Sequence, residues 1–265
     1  MILNVSGRTD IVAFYSEWFM NRYREGFVDV RNPVYPKMVS RIYFENVDAI
    51  LFCTKNPLPM LKYIEKIKEL FLFHVTLTPY KKEIEPHVPA KGNVIEAIKQ
   101  LSQKIGKERV VVRYDPIFVS EKYSIDYHKK AFHHLCGLLD GYVSKIIVSF
   151  LDDYKNVRKN MAVIGAREMT EADYREIGLS FSESAKEHGM TVQTCFEEKN
   201  LVEYGFVKDD CFSHSLAFQM TGKIFQNGKP EKGIYVSVWK WWILVHIILV
   251  LIFVSIVMRI MMKDK

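Results

Sequence analysis

Six short runs of β-branched and aromatic residues recur through the first 195 positions, separated by longer amphipathic stretches. This alternation restricts the chain to a parallel sheet wrapped by helices. The runs are Ile2 to Ser6, Ala49 to Thr54, Phe73 to Thr78, Arg109 to Tyr114, Lys145 to Phe150 and Thr191 to Cys195. Each is mostly apolar, as strands covered on both faces must be. The spacing predicts helices from about Ile11 to Gly26, from Pro57 and Pro59 to about Leu70, and from Asn93 to Gly106, with further helices ending at Gly141 and Gly189. Thr170 with Asp173 three residues on predicts a capping box for the last of these. Phe27 to Val30 and Val39 to Phe44 are short alternating segments around Asn32-Pro33 and Pro36, which predicts a hairpin inserted after the first helix. Six βα units are too few for a closed eight-unit barrel. The expected fold is therefore α/β: a partial parallel βα barrel, TIM-like, of about six units, with the inserted β-hairpin and one apolar C-terminal helix.

That last helix sets the expected division of the chain. Trp241 to Met258 contains no Lys, Arg, Asp or Glu, and its length is about what crosses a hydrocarbon core. Residues 1–225 are expected to form the βα-barrel domain, 226–240 a linker, and 241–258 a transmembrane helix that makes the whole chain a single-pass membrane protein. Of the net charge of +6, three units lie from residue 240 onward, where Lys240, Arg259, Lys263 and Lys265 face only Asp264. The body is nearly balanced, so no nucleic-acid footprint is expected. Cys53, Cys136, Cys195 and Cys211 are far apart without a CxxC pair, and the N-terminus lacks a charged segment leading into an apolar one. A cytoplasmic, reducing setting for the body is the expectation.

In parallel βα folds the functional face lies at the carboxyl ends of the strands, where loops and helix N-termini converge. Polar residues stand at every such end here: Arg8 and Asp10, Lys55 and Asn56, Thr78 and Tyr80, Arg113 and Asp115, Ser149 and Asp152, then Gln193, Cys195, Glu197 and Glu198. Asp10 or Thr9 has two readings, as a cap for the first helix or as a ligand contact. Arg8, Lys55 and Arg113 have two as well. They form ion pairs with Asp10, Asp115 or Asp152 at the rim, or they converge on an anionic ligand, for which arginine offers bidentate geometry. Tyr80 is more often packing than chemistry. His74, inside a strand, and His133 and His134, on a helix without metal-ligand spacing, read as core or surface histidines. Cys53 and Cys136 fall within apolar patterns. Cys195 and Cys211 sit beside polar turns, but two thiols make at most an incomplete metal site.

The runs Val5-Ser6-Gly7-Arg8-Thr9-Asp10-Ile11, Val30-Arg31-Asn32-Pro33, Thr54-Lys55-Asn56-Pro57, Leu77-Thr78-Pro79-Tyr80, Arg113-Tyr114-Asp115-Pro116, Ser149-Phe150-Leu151-Asp152 and Gln193-Thr194-Cys195 together resemble an uncharacterised bacterial family, domain of unknown function 1848. The resemblance covers residues 1 to about 220 in order. It implies kinship with radical S-adenosylmethionine enzymes, in which three thiolates hold a four-iron cluster that binds S-adenosylmethionine. In that family the cysteines lie at the C-terminus, as a CxC pair and then a CxxxCxxC run followed by Tyr-Ala. On the resemblance, Arg8, Lys55 and Arg113 would orient cofactor or substrate anions, Asp10, Asp115 and Asp152 would bind ribose hydroxyls or ammonium, and Gln193 would line the floor. Cys195 and Cys211 would join the CxC pair around a second cluster.

This chain has neither cysteine group. Read one nucleotide out of register, however, a codon that precedes valine can become a cysteine codon. Val236, Val238, Val250, Val254 and Val257 stand at CxC and CxxxCxxC spacing. Under the same shift Trp239-Lys240 becomes Glu, Trp242-Ile243 becomes Asp, Val257-Met258 can become Tyr and Met258-Arg259 can become Ala. The expectation is a tail translated out of frame from a slip between Gln219 and Tyr235, no cluster or S-adenosylmethionine bound by this chain, and no activity. The alternative is a true anchor, with the body a membrane-tethered binding module for an anionic small molecule.

Overall fold

The computed structural model describes residues 1–209 apart from positions 8, 33, 152–160, 162, 196 and 198, together with 216, 218 and 222. Among these residues nine strands form two sheets: β1 (Ile2–Val5), β2 (Phe27–Arg31), β3 (Val39–Tyr43), β4 (Ala49–Thr54), β5 (Leu70–Thr76), β6 (Val110–Ile117), β7 (Lys145–Phe150), β8 (Thr191–Thr194) and β9 (Val207–Lys208). Seven of them make one parallel sheet in the order β1-β4-β5-β6-β7-β8-β9, and β2 and β3 make the separate antiparallel hairpin. The large sheet runs in chain order without reversal, so it has no switch point of the doubly wound kind. Among the described residues no ladder joins β1 to β9.

The six predicted strands and the inserted hairpin are present, with β5 starting at Leu70 rather than Phe73. The seventh strand was not predicted: Val207 and Lys208 are both exposed, and two residues carry no period. Among the described residues five helices with full bounds pack on the sheet: α1 (Ile11–Phe14), α2 (Ser16–Glu25), α3 (Lys91–Ile105), α4 (Ile125–Leu139) and α5 (Glu171–Glu187). The single helix expected from Ile11 to Gly26 is broken at Tyr15, where the buried Ser16 hydroxyl donates to the Val12 carbonyl and competes with the helical ladder. Gly26, at φ 82°, ends α2 in the left-handed conformation that glycine adopts at no steric cost. The stretch after Pro57 is a 3₁₀ run, Leu58–Lys66, in place of an α-helix, consistent with proline at both 57 and 59 removing amide donors. Thr170 and Asp173 form the capping box, each side chain accepting from the other's backbone amide.

The two faces of the large sheet differ, because successive side chains point to opposite sides. One face carries Val5, Phe52, Phe73, Val112, Val148 and Val192, which pack against Val12, Phe19, Ile98, Phe132 and Phe181 of the helices in one continuous core. The second face is apolar near the strand starts, where Ala49, Leu51 and Leu72 are covered in part by Leu216. One step further along, the same face turns polar. No helix among the described residues is long and apolar enough to cross a membrane. The expected linker 226–240 and transmembrane helix 241–258 lie outside the described residues.

Candidate functional site at the strand ends

The chain leaves β1 through Ser6, which at φ 84° is the one non-glycine with positive φ among the described residues. Its hydroxyl accepts from the Ile11 amide, which turns the backbone into α1. Asp10 caps that helix by accepting from the Ala13 amide at 2.9 Å. Its other oxygen accepts from the Thr54 hydroxyl at 2.9 Å and from the Lys55 amide at 2.8 Å, tying the end of β1 to the end of β4. Burial raises the Asp10 pKa above the usual aspartate value despite these bonds. The capping reading of Asp10 is present in the geometry, and its oxygens are already engaged by the protein.

Beside it, two lysines converge on one carboxylate. Glu85, almost fully buried in the connection between β5 and α3, receives Lys55 and Lys91, and the Thr78 hydroxyl donates to it at 2.7 Å. Burial alone would push the Glu85 pKa up, but the attraction of Lys55 and Lys91 outweighs it and holds the carboxyl below its usual value. Lys91 is lowered in turn, mainly by burial. Asn56 accepts from the Leu58 amide at 3.3 Å and donates its own amide to Thr54 at 2.9 Å, so it shapes the turn after β4. Tyr80 is buried, stacks on Phe118 at 4.5 Å, donates to the Pro116 carbonyl and accepts from the Phe118 amide. It braces the loop after β6.

The polar part of the second sheet face runs across five strands. Period two places Cys53, His74, Arg113, Ser149 and Gln193 on the same side as Leu51, Leu72, Val111 and Ile147. His74, Arg113 and Gln193 are buried. The register aligns Arg113 with Ile147 and Ile147 with Gln193, so Arg113 and Gln193 stand at one level, while His74, paired with Val111, lies one pleat nearer the strand starts on the same face. Arg113 donates through Nε to Asp115 at 2.9 Å and also through Nη2, and Ser149 donates to the other Asp115 oxygen. Gln193 donates to the Asp209 carbonyl at 2.9 Å, and Glu197 accepts from the Phe150 amide at 3.1 Å. The Cys53 thiol lies 3.8 Å from the Asn4 side-chain oxygen, and loss of solvent pushes its pKa to about 12.

The predicted ligand candidates therefore separate into groups. Lys55 and Asn56 lie at the rim with Asp10, Arg113 and Asp115 with Gln193 on the polar face, and Tyr80 in an aromatic cluster with Phe118 and Tyr123. The expected Arg113–Asp115 ion pair is present, whereas the Lys55 ammonium pairs with Glu85, which was not foreseen. Arg8, Asp152 and Cys211 lie outside the described residues. Cys195 is buried against Val111 and Ile147 and is disulfide-bonded, so a metal role for it requires the reduced form. Glu85 and Lys91 were missed, although the charged run from Lys81 to Glu85 before Pro86 marks a polar loop at this end of the sheet. From the sequence His74 reads as a core or surface histidine. Its alternation with Phe73 and Val75 was the available signal that it faces away from the helices.

Compared with known proteins, residues 2–233 match the family model described as Domain of unknown function (DUF1848). No curated protein and no solved structure gives a significant match.

Proposed function

The chain belongs to the DUF1848 family, and from that membership and the polar sheet face we propose that its body is the small-molecule-binding barrel of a radical S-adenosylmethionine-type enzyme. In this chain the body is carried without its cluster-binding segment and is inactive. The observation that supports this most is the set of polar side chains His74, Arg113 and Gln193, buried on the face away from α1 to α5 and joined there by Asp115 and Ser149. A sheet that only packed would fill those positions with apolar residues, because buried polar and charged groups are costly to place. A partial βα barrel is the finer reading of seven parallel strands in unbroken chain order with helices packed on one face.

The iron–sulfur cluster fits the described residues poorly. Cys53 faces the polar side of β4, while Cys136 lies on α4 in the helix-side core, and burial holds both thiols near 12. Cys195 is in a disulfide. A four-iron cluster requires three or four converging thiolates, and no such set exists among the described residues, so no chemical step is assigned to a cluster in this chain. The family match ends at residue 233, three positions before Val236, the first of the five valines at cluster spacing. That limit supports an out-of-frame tail.

Sequencing the locus tests the reading. Cysteine codons in CxC and CxxxCxxC order in the neighbouring frame are the expected result, and a shifted frame without them rules it out. Anaerobic reconstitution of the chain as translated is expected to give no cluster absorbance and no cleavage of S-adenosylmethionine, whereas the frame-corrected chain gains several irons. Several irons per chain in the uncorrected protein would contradict the proposal.

One observation favours a second reading, a membrane-tethered module for an anionic small molecule. Lys55 and Lys91 converge on Glu85 at the strand ends, which places two ammonium groups side by side at the rim. A chain that stays in the membrane fraction through high-salt and alkaline washing would favour it.

A further inference from the structure

Away from the strand ends, α4 and α5 pack side by side, with Phe132 stacked on Phe181 at 3.8 Å. Where the end of α5 meets the middle of α4, three side chains with metal-ligating atoms come together. His133 projects from α4, Glu187 is the last residue of α5, and His188 follows it as the C-cap. One nitrogen from each histidine and one Glu187 oxygen all lie within 4.8 Å of one another. His133 Nδ1 is 3.6 Å from Glu187 Oε2. The His188 ring lies over α4 at Gly137, where a Cβ would stand in ordinary contact at 3.7 Å from Cε1. His188 Nδ1 is 3.2 Å from a carboxylate oxygen of Asp140, the C-cap of α4.

We propose that His133, Glu187 and His188 form a binding site for a divalent transition-metal ion of the zinc class, which ties the end of α5 to α4. The chemistry supports such an ion in three ways. Two imidazoles and a carboxylate are donors that suit zinc, whereas calcium and magnesium require oxygen donors. Asp140 is placed as an outer partner: a carboxylate holding Nδ1–H fixes the tautomer and leaves Nε2 for the metal. The spread of the donor atoms is also close to what is needed. Bonds of roughly 2.0–2.1 Å in a tetrahedral site put ligand atoms about 3.4 Å apart. His133 and Glu187, with side chains 60% and 53% exposed, can rotate to close the difference, while His188, at 23%, is already set. The fourth position opens to solvent and takes water.

Zinc titration of the untagged, metal-stripped full-length chain in mild detergent, against a chromophoric chelator, tests the site. Wild type is expected to bind one ion per chain, unaffected by excess magnesium or calcium. Asp140→Asn should weaken binding by roughly 10–100-fold, the usual effect of losing an outer-shell partner, and His133→Ala/His188→Ala should abolish it. Zinc should raise the melting temperature of wild type and leave the double variant unmoved, while the two proteins melt alike without metal. Equal binding by the double variant, or no binding by wild type at micromolar zinc, overturns the proposal.

Discussion

His128 is wholly buried between two elements, its Nε2 2.9 Å from the Phe118 carbonyl and its Nδ1 2.9 Å from the Tyr114 hydroxyl. The carbonyl can only accept, so Nε2 carries the proton and Nδ1 accepts from Tyr114. Burial pushes the pKa of the ring down to about 4. The folded value lies below the unfolded one, so the stability this histidine contributes is fully present above about 6.5 and is lost as pH falls towards 4. The loss amounts to something on the order of 3 kcal/mol. His128→Gln should flatten the fall in urea midpoint between pH 6.5 and 5, a range where few carboxylates titrate; an unchanged slope would refute the assignment. Nothing in the sequence separates His128 from the other seven histidines, since its protonation is set by what surrounds it.

Gly178 sits in the buried face of α5, where glycine is ordinarily a weakness. Replacing it by alanine in an open helix would stabilise by about 1 kcal/mol. Here a Cβ would meet Tyr204 Cδ2 at 2.7 Å and Tyr204 Cβ at 2.9 Å. Tyr204 belongs to the Val202–Tyr204 turn that leads into β9, and its ring rests on the bare backbone of α5. Gly178→Ala is therefore expected to destabilise by roughly 1–3 kcal/mol, the range for overpacking, measured as a lowered denaturation midpoint. A stabilised variant would mean that Tyr204 is not seated there. At this scale the sequence is more legible. The capping box at Thr170, the glycine stop at Gly26 and the hairpin follow from local chemistry and are present. The break at Tyr15 and the two-residue β9 were not legible, because they depend on a buried hydroxyl and on an available sheet edge.

The molecule as described has one seven-stranded sheet and one large hydrophobic core that draws on β1, β4 to β8 and all five helices. With no second core of comparable extent among the described residues, the body is expected to unfold in one cooperative step. Denaturation curves from far-ultraviolet and near-ultraviolet circular dichroism should coincide, and two separated transitions would show an independent subdomain. The sequence by itself determined the strand and helix order, the parallel sheet and the family, because period-two and helical patterns are local and repeat along the chain. It also located the polar strand ends. Only the tertiary structure decided that Lys55 pairs with Glu85, thirty residues away, that His74 lies in line with the polar face, and that His133 meets His188 across two helices. Such pairings depend on distance and burial through space, and no periodicity in the chain encodes those.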